Sequence, residues 1–546
     1  MRKNMYFGWL CAASILSACS TELNEEVATG GSATGEGFVK VAINMPSVSG
    51  SRAIGNADGT AAEYAVKSGV IAFFEGTTEA DAAFVKAYDL GDLKQQDQAA
   101  GGEVSTVVSQ LIEAPLKTSS SKTMYALVIL NKSGVVNVTD GNLVLTNGGS
   151  NITVSAGKKL SDLNDVAVKW ALTASEVSST ENGFLMLNAP LYNGTSGVQT
   201  LAPVNVYKTQ VEANGASADP IYVERVVAKV DVKKPGDGSL TVAEGGVYAG
   251  DKVTFAGTGL GWVLNVTNKN TVPVRNVSGL DTWKGYSSIG ANFVGTANAI
   301  GSKWSRIYWA QDVNYDVTSV DFNVYTAAAA PEKWGNYSDG SATVVPQYCL
   351  ENTAPATSCN EANTTSVLIK AKYDIDGDAA TTSSFFIMDK VANAMDTETL
   401  LAKVESLLSI GDVLSIIPDA PAGYYKTAED LNKLFTGHTF TSENATAIGE
   451  IRYYKDGECY YYTIPVKHFT DIVYTPGETI SDETHLGRYG VVRNNWYEIN
   501  INSVSGPGEP VIPTPDPDQP VDKQKGYIQC EINVLSWAKH SQNVDL

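Results

Sequence analysis

The sequence predicts a mainly β fold: two consecutive β-sandwich domains with a few short helices, followed by a tethered C-terminal strand. Three observations lead there. Short apolar runs with period-two alternation recur along the chain, with Asp-Gly and Asn-Gly pairs between or beside them as turn signals. Gly, Thr, Ser, Asn, Val and Tyr are abundant, which suits twisted antiparallel sheets and tight turns. Only two stretches repeat their apolar residues at helical spacing.

A length of 546 residues allows two or three domains, each with its own core. Hydrophobic residues make up 43% and charged residues 18%, so the body is neither disordered nor highly charged. The net charge of −21 repels nucleic acid and anionic membranes, and neither is an expected partner.

Residues 1–18 are targeting. Arg2 and Lys3 precede an apolar stretch, 5–16, that is too short to span a bilayer comfortably. It ends at Leu16-Ser17-Ala18-Cys19, which resembles a bacterial lipobox. The leader is then cut before Cys19, which takes acyl chains, and the precursor meets the membrane only through that lipid. Glu22, Glu25 and Glu26 resemble the export signal of surface-exposed lipoproteins in Bacteroidetes.

The propeptide, 19–52, holds the first strand. Val39, Val41, Ile43 and Met45 share one face, with Lys40 and Asn44 on the other. Small polar residues follow, with a single Arg52, and Arg52-Ala53 is the expected cleavage bond in an exposed loop. The first sandwich domain is placed at 53–227, with strands at 70–74, 124–130, 184–187 and 223–232. Asp58-Gly59, Asp140-Gly141, Asn147-Gly148, Asn182-Gly183 and Asn193-Gly194 mark its turns.

The second domain, 228–503, has strands at 262–266, 317–325, 366–373, 451–454, 460–466 and 496–501. Asp456-Gly457 is expected to close a hairpin between the runs at Ile451 and Tyr460. The two helices are 400–408, capped by Asp396, and 427–435, stopped by Gly437.

After Ser503 the composition changes. Six prolines fall between Pro507 and Pro520 in a linker, 504–525. As a free polyproline arm, 506–525 reaches ~60 Å at ~3.1 Å per residue. The last segment, 526–546, carries a strand with Ile528, Cys530, Ile532 and Val534 on one face. Tyr527, Gln529, Glu531 and Asn533 oppose them, and Trp537 is a terminal anchor.

Chemistry is sparse. There is no nucleophile elbow, zinc-protease motif, P-loop or dinucleotide fingerprint, and His438, His468, His485 and His540 are scattered. Paired glycosidase carboxylates meet only in a fold and leave no trace in one sequence. Asp374, Asp376 and Asp378 lack the Gly and distal Glu of a calcium loop and read as a turn. No enzyme activity, metal or cofactor is expected. Cys349 and Cys359 are close enough to bridge in an oxidising compartment, whereas Cys459 and Cys530 read as buried apolar residues.

Two strands of like pattern thus bracket the body. Burying four apolar side chains contributes ~6–12 kcal/mol before ordering entropy is subtracted. A sheet that loses the first strand exposes an apolar groove and unpaired backbone groups. The C-terminal strand of another copy then fits by β-augmentation, and head-to-tail filling gives an open filament. The residues alone leave open the alternative that both strands pair within one chain.

The sequence resembles the short fimbrilins of Bacteroidales, subunits of type V pili. The matching pieces are the lipobox at Cys19, the run 38–46 followed by Gly50-Ser51-Arg52-Ala53, and Val223-Glu224-Arg225-Val226-Val227-Ala228-Lys229-Val230. Further matches are Val491-Val492-Arg493-Asn494-Asn495-Trp496-Tyr497, Val534-Leu535-Ser536-Trp537 and the terminus Val544-Asp545-Leu546. The resemblance implies transthyretin-like sandwiches, lipoprotein export, and cutting by an Arg-specific protease at Arg52-Ala53. It further implies polymerisation through a donor strand, with anchor and tip subunits and host or bacterial surface receptors as partners. Adhesion, coaggregation and biofilm formation follow from the same resemblance, as does a role in assembly for 527–546.

Two other readings differ in what they predict. A surface lipoprotein that binds glycan through its many Trp and Tyr residues keeps its N-terminal segment and stays monomeric. An anchor subunit keeps its lipid, and a tip subunit needs no terminal donor strand.

Overall fold

The computed structural model describes residues 36–46, 63, 65–93, 96–97, 104–148, 150–164, 170–179, 181–194, 197–243, 246–295, 304–315, 322–338, 345–375, 383–391, 393–411, 413–523 and 528–536. The first sheet is built from β1 (Glu36–Pro46), β2 (Ser68–Gly76), β3 (Ala83–Asp92), β4 (Gln96–Asp97), β5 (Val104–Pro115), β6 (Thr123–Leu130), β7 (Met186–Asn188), β8 (Ala202–Val204) and β9 (Asp219–Arg225). Its order is β3-β2-β6-β7-β9-β1-β5-β4, with β8 also on β6. The sheet curls until β3 lies against β5. The core so enclosed runs from Val39 to Val227 and is joined by Val274 and Leu350.

The chain then crosses into a second core that begins at Ala228. Its strands are β10 (Val227–Lys233), β11 (Ser239–Thr241), β12 (Lys252–Thr254), β13 (Gly261–Asn265), β14 (Gln347–Leu350) and β15 (Ser366–Asp374), with β16 (Phe385–Met388), β17 (Gly423–Tyr425), β18 (Ile451–Tyr454), β19 (Glu458–Pro465), β20 (Asn495–Val504) and β21 (Ile528–Ser536). One sheet has the order β14-β10-β20-β21 and the other β11-β12-β15-β13, with β19 on β15. Val230, Val232, Tyr497 and Ile499 of the first meet Val253, Trp262, Ile369 and Tyr461 of the second in one core, which is sheet-on-sheet packing. A satellite core gathers β16, β17 and β18 with three helices.

The helix at Thr397–Leu408 forms where the sequence places it, because Asp396 accepts a hydrogen bond from the Thr399 amide at 2.8 Å and Leu400 and Val404 are buried. Ala428–Leu434 starts in a capping box between Thr427 and Asp430. Further short helices were not expected, among them Ser442–Ile448, capped by Thr441 and Asn444.

Two expectations about strands are corrected. The turn at Asp456-Gly457 exists, with φ of 54° and 69°, but the strands beside it do not pair with each other. β18 joins β16, where Tyr454 stacks on Phe385 at 4.3 Å, and β19 joins β15. The apolar run 223–232 is two strands, β9 and β10, which carry the chain from one core into the next across the buried Val226.

Candidate assembly site

β1 is an interior strand. On one side it runs parallel to β9, from Val41 opposite Asp219 to Asn44 opposite Tyr222. On the other it runs antiparallel to β5, from Glu36 opposite Pro115 to Pro46 opposite Val104. Alternation puts Val39, Val41 and Ile43 into the core at 0%, 0% and 1% exposure, and the side chain of Met45 lies outside the description. Burying three such side chains is worth ~5–9 kcal/mol. Removing β1 therefore opens a slot with unpaired backbone on both walls, more demanding of a replacement than a bare edge.

The slot is also shaped at its end. Phe38 and Tyr207 exchange both backbone hydrogen bonds at 2.8 Å. A Cβ at Gly37 would lie 2.5 Å from the Tyr207 carbonyl oxygen, 2.7 Å from Leu116 Cδ2 and 2.9 Å from Val206 Cγ1. Along the rim, Lys40 Nζ donates to the carbonyls of Asn214 and Ala216 at 3.1 Å, at the end of the short helix Gln210–Gly215. Glu36 accepts from Lys86 Nζ and from Tyr88 Oη.

The C-terminal strand has an in-chain partner. β21 pairs antiparallel with β20, from Asn495 opposite Ser536 to Val504 opposite Ile528. Ile528, Cys530, Ile532 and Val534 are placed there by their backbone only, since the side chains of β21 lie outside the description. Cys19, Arg52, Ala53 and Trp537 lie outside the described residues.

The proline-rich segment is not a free arm. The hydroxyls of Tyr461 and Tyr454 donate to the carbonyls of Gly506 and Gly508 at 3.1 and 2.8 Å. Glu509 exchanges backbone hydrogen bonds with Tyr460 at 2.7 and 2.8 Å. Ile512 packs on Val263 and Leu368, and Val521 packs on Ala354, Cys359 and Tyr489. Asp522 accepts from Tyr489 Oη at 2.7 Å and pairs with Arg488 at 2.5 Å. Proline removes donors from this stretch, and the body supplies hydroxyls for its carbonyls and apolar seats for Ile512 and Val521.

Cys349 and Cys359 are not bridged. Both are free and buried, Cys349 in the second core and Cys359 beside Val521, and burial pushes each thiol up to about 12. Such thiols are inert at neutral pH.

Arginine is used in an unusual way. Of eight in the chain, six lie in the described residues. Arg225, Arg275, Arg306, Arg488 and Arg493 are buried and Arg452 is half-buried. Arg225, Arg275, Arg306 and Arg493 gather where the two resembling motifs of the sequence meet. Asn494, at φ 60°, accepts from Arg225 Nη1 at 3.2 Å and donates its amide to Val227 O at 2.8 Å. Arg493 donates to Thr271 Oγ1 and Val272 O at 2.8 and 3.0 Å, and Arg275 faces Glu224 at 2.9 Å. Sequence reading marked these motifs but not the ion pairs, whose members are far apart in the chain.

Near this network Asp312 is fully buried and accepts from Asn268 Nδ2 and from the Asn314 amide. Burial pushes its carboxyl up to about 8, and nearby Glu351 adds to the effect. A folded-state value above the unfolded one means that the native protein holds a proton the unfolded chain releases. This group's contribution therefore falls as pH rises from about 4 to about 8, by up to ~1.4 kcal/mol per pH unit, and is flat above. Asp312→Asn is expected to flatten the fall in urea midpoint over that window.

The fold and this slot define a mainly β protein whose first strand completes one core and whose last strand flanks the other. Residues 452–543 match the family model of the major fimbrial subunit protein type IV, fimbrillin, C-terminal. On that segment the chain is similar to the C-terminal part of fimbrillins. Among solved structures it is similar to the tip fimbrial protein Mfa3 of Porphyromonas gingivalis with C-terminal truncation, at 11% identity and a TM-score of 0.32 over 91% of this chain and 99% of that one. It is also similar to a fimbrial assembly protein of Parabacteroides distasonis, at 10% identity and a TM-score of 0.28 over 62% of this chain and 86% of that one. A protein of the same organism described as a cell adhesion protein matches at 9% identity and a TM-score of 0.39, over 93% of this chain and 99% of that one. No curated protein matches the chain.

Proposed function

We propose that the chain is the shaft subunit of a surface fimbria, exported as a lipoprotein on Cys19, cut after Arg52 and polymerised head to tail by donor-strand exchange. The domains proposed for it are 53–227 and 228–503. The fimbria so built, with anchor and tip subunits, supports adhesion to host or bacterial surfaces and biofilm formation.

The observation that carries this reading is the interior position of β1, a strand that precedes Arg52 and fills a slot with two walls. The placement of arginine supports it. An Arg-specific protease meets buried or half-buried arginines in the described body, which favours Arg52 as its substrate. In-chain pairing of β21 favours the rival reading, a monomeric surface lipoprotein that binds glycan or serves as anchor or tip.

Limited digestion of the precursor with an Arg-specific protease separates the two. Cleavage at Arg52-Ala53 is expected, followed by SDS-resistant ladders that a chain ending at Asp522 does not form. Resistance at Arg52, or cut protein that stays monomeric, sinks the shaft reading.

A further inference from the structure

The slot left by β1 has a definite sequence requirement, and one segment of the chain meets it in one register. Residues 36–45 read Glu-Gly-Phe-Val-Lys-Val-Ala-Ile-Asn-Met, and residues 525–534 read Lys-Gly-Tyr-Ile-Gln-Cys-Glu-Ile-Asn-Val. Shifted by 489 positions the two superpose, with Gly, Ile and Asn identical and an aromatic residue after the glycine in both. We propose that the C-terminal strand of a second copy enters the slot in this register and in the direction of β1, parallel to β9 and antiparallel to β5. The inference rests on the exchange reading above and adds the register and direction that reading lacks.

Each position can be checked against the seat. Position 37 admits only glycine, because a Cβ there meets the Tyr207 carbonyl oxygen at 2.5 Å, and the donor supplies Gly526. A shift of two residues would put Ile528 at that point. Val39, Val41 and Ile43, the buried positions, receive Ile528, Cys530 and Ile532. Lys40 donates to two carbonyls at the rim, and Gln529 brings an amide donor to the same place. Ala42 is half-buried and leaves room for Glu531 to reach water.

One position disagrees. Glu36 pairs with Lys86, and the donor brings Lys525 instead. Those side chains are 23% and 41% exposed, so solvent screens the pair and its loss does not outweigh the burial of three core side chains.

The register is read by disulfide trapping with the native Cys530. It takes the place of Val41, whose partner on β5 is Gln110 and on β9 is Asp219. Directly opposed residues of antiparallel strands have Cβ atoms roughly 4.5–5.5 Å apart, near the span a disulfide bridges. Precursor carrying Gln110→Cys is cut with the Arg-specific protease under reducing conditions, allowed to form ladders and then oxidised. Covalent oligomers that dithiothreitol and Cys530→Ser both remove are expected, at least ten-fold above those from Val108→Cys or Ile112→Cys, which report registers two residues away. Asp219→Cys gives the same reading from the other wall where Gln110→Cys disturbs folding. Ladders with trapping at 108 or 112, or with none at 110 and 219, overturn the register and leave exchange standing. Absence of ladders from the unsubstituted protein overturns both.

Discussion

Gly526→Val is expected to reduce ladder formation by processed protein at least ten-fold, with the thermal unfolding midpoint of the uncut precursor unchanged. In the proposed register residue 526 occupies the place of Gly37, where a Cβ already comes within 3 Å of three groups. The carbonyl of Tyr207 cannot move aside cheaply, because Tyr207 exchanges two backbone hydrogen bonds with the strand in the slot. Overpacking at a fixed backbone costs ~1–3 kcal/mol, and ten-fold in an equilibrium is about 1.4 kcal/mol. A companion substitution predicts the opposite sign. Cys530→Val restores the side chain that β1 itself places in that pocket, so ladders should form at the unsubstituted yield or above. Ladder intensity after a fixed digestion time measures both. Equal loss from the two substitutions would show that the strand tolerates no change, and would remove the argument from glycine.

How much of this was legible in the sequence depends on the distance over which each feature is determined. The helix at Thr397–Leu408 was visible because its cap and its apolar spacing are local. The helix at Ser442–Ile448 was not, since two buried residues, Ala445 and Ile448, make no periodic signal. Alternation in 39–45 correctly put Val39, Val41 and Ile43 on a buried face, yet it could not say that β1 has neighbours on both sides. That fact comes from β5 and β9, which lie far along the chain.

The proline-rich segment misled for the same reason. Its composition describes a chain unable to make its own core, and says nothing of the hydroxyls of Tyr454 and Tyr461 or of the pocket under Ile512 that the body offers it. The hairpin at Asp456-Gly457 failed because a turn signal fixes the chain's reversal and not the partners of its flanking strands. Buried charge was the least legible feature, since Arg493 and Glu351, or Lys229 and Glu63, look alone like surface residues.

That last pair carries the largest expected effect on stability. Glu63→Ala should destabilise the protein by ~3–5 kcal/mol, read as a fall in the urea midpoint at constant slope. Lys229 Nζ lies 2.8 Å from Glu63 Oε1, both side chains are 1% exposed, and Tyr348 Oη donates to the same carboxylate at 2.5 Å. Truncation leaves the ammonium buried against the Trp496 ring, 3.8 Å away, without its carboxylate. Arg225 still donates to the backbone carbonyl of residue 63 at 2.7 Å, so the chain stays attached and the loss reports the side chain.

The pH dependence distinguishes an orphaned charge from a mere cavity. Burial already holds the Lys229 amine below its usual range, and Glu63 is the main group raising it. Without Glu63 the amine falls further, so between its folded value and about 10 the unfolded chain binds the extra proton. The deficit of Glu63→Ala against the unsubstituted protein should therefore shrink as pH rises from the variant's folded value to that of the unsubstituted protein, and stay level above it. Lys229→Met should be comparably destabilised, and Glu63→Gln with Lys229→Met should cost well under the sum of the two single changes, because neither member of the pair is then left charged without the other. A pH-independent deficit, or additive losses, would mean that packing at Trp496 and Tyr348 holds this junction and the ion pair does not. Glu63 follows Arg52 closely in the chain and is tied to β9, β10 and β14 together, so its anchor fixes where the processed chain enters the body. On the proposed processing, the strand before the cut leaves while the junction between the two cores stays closed.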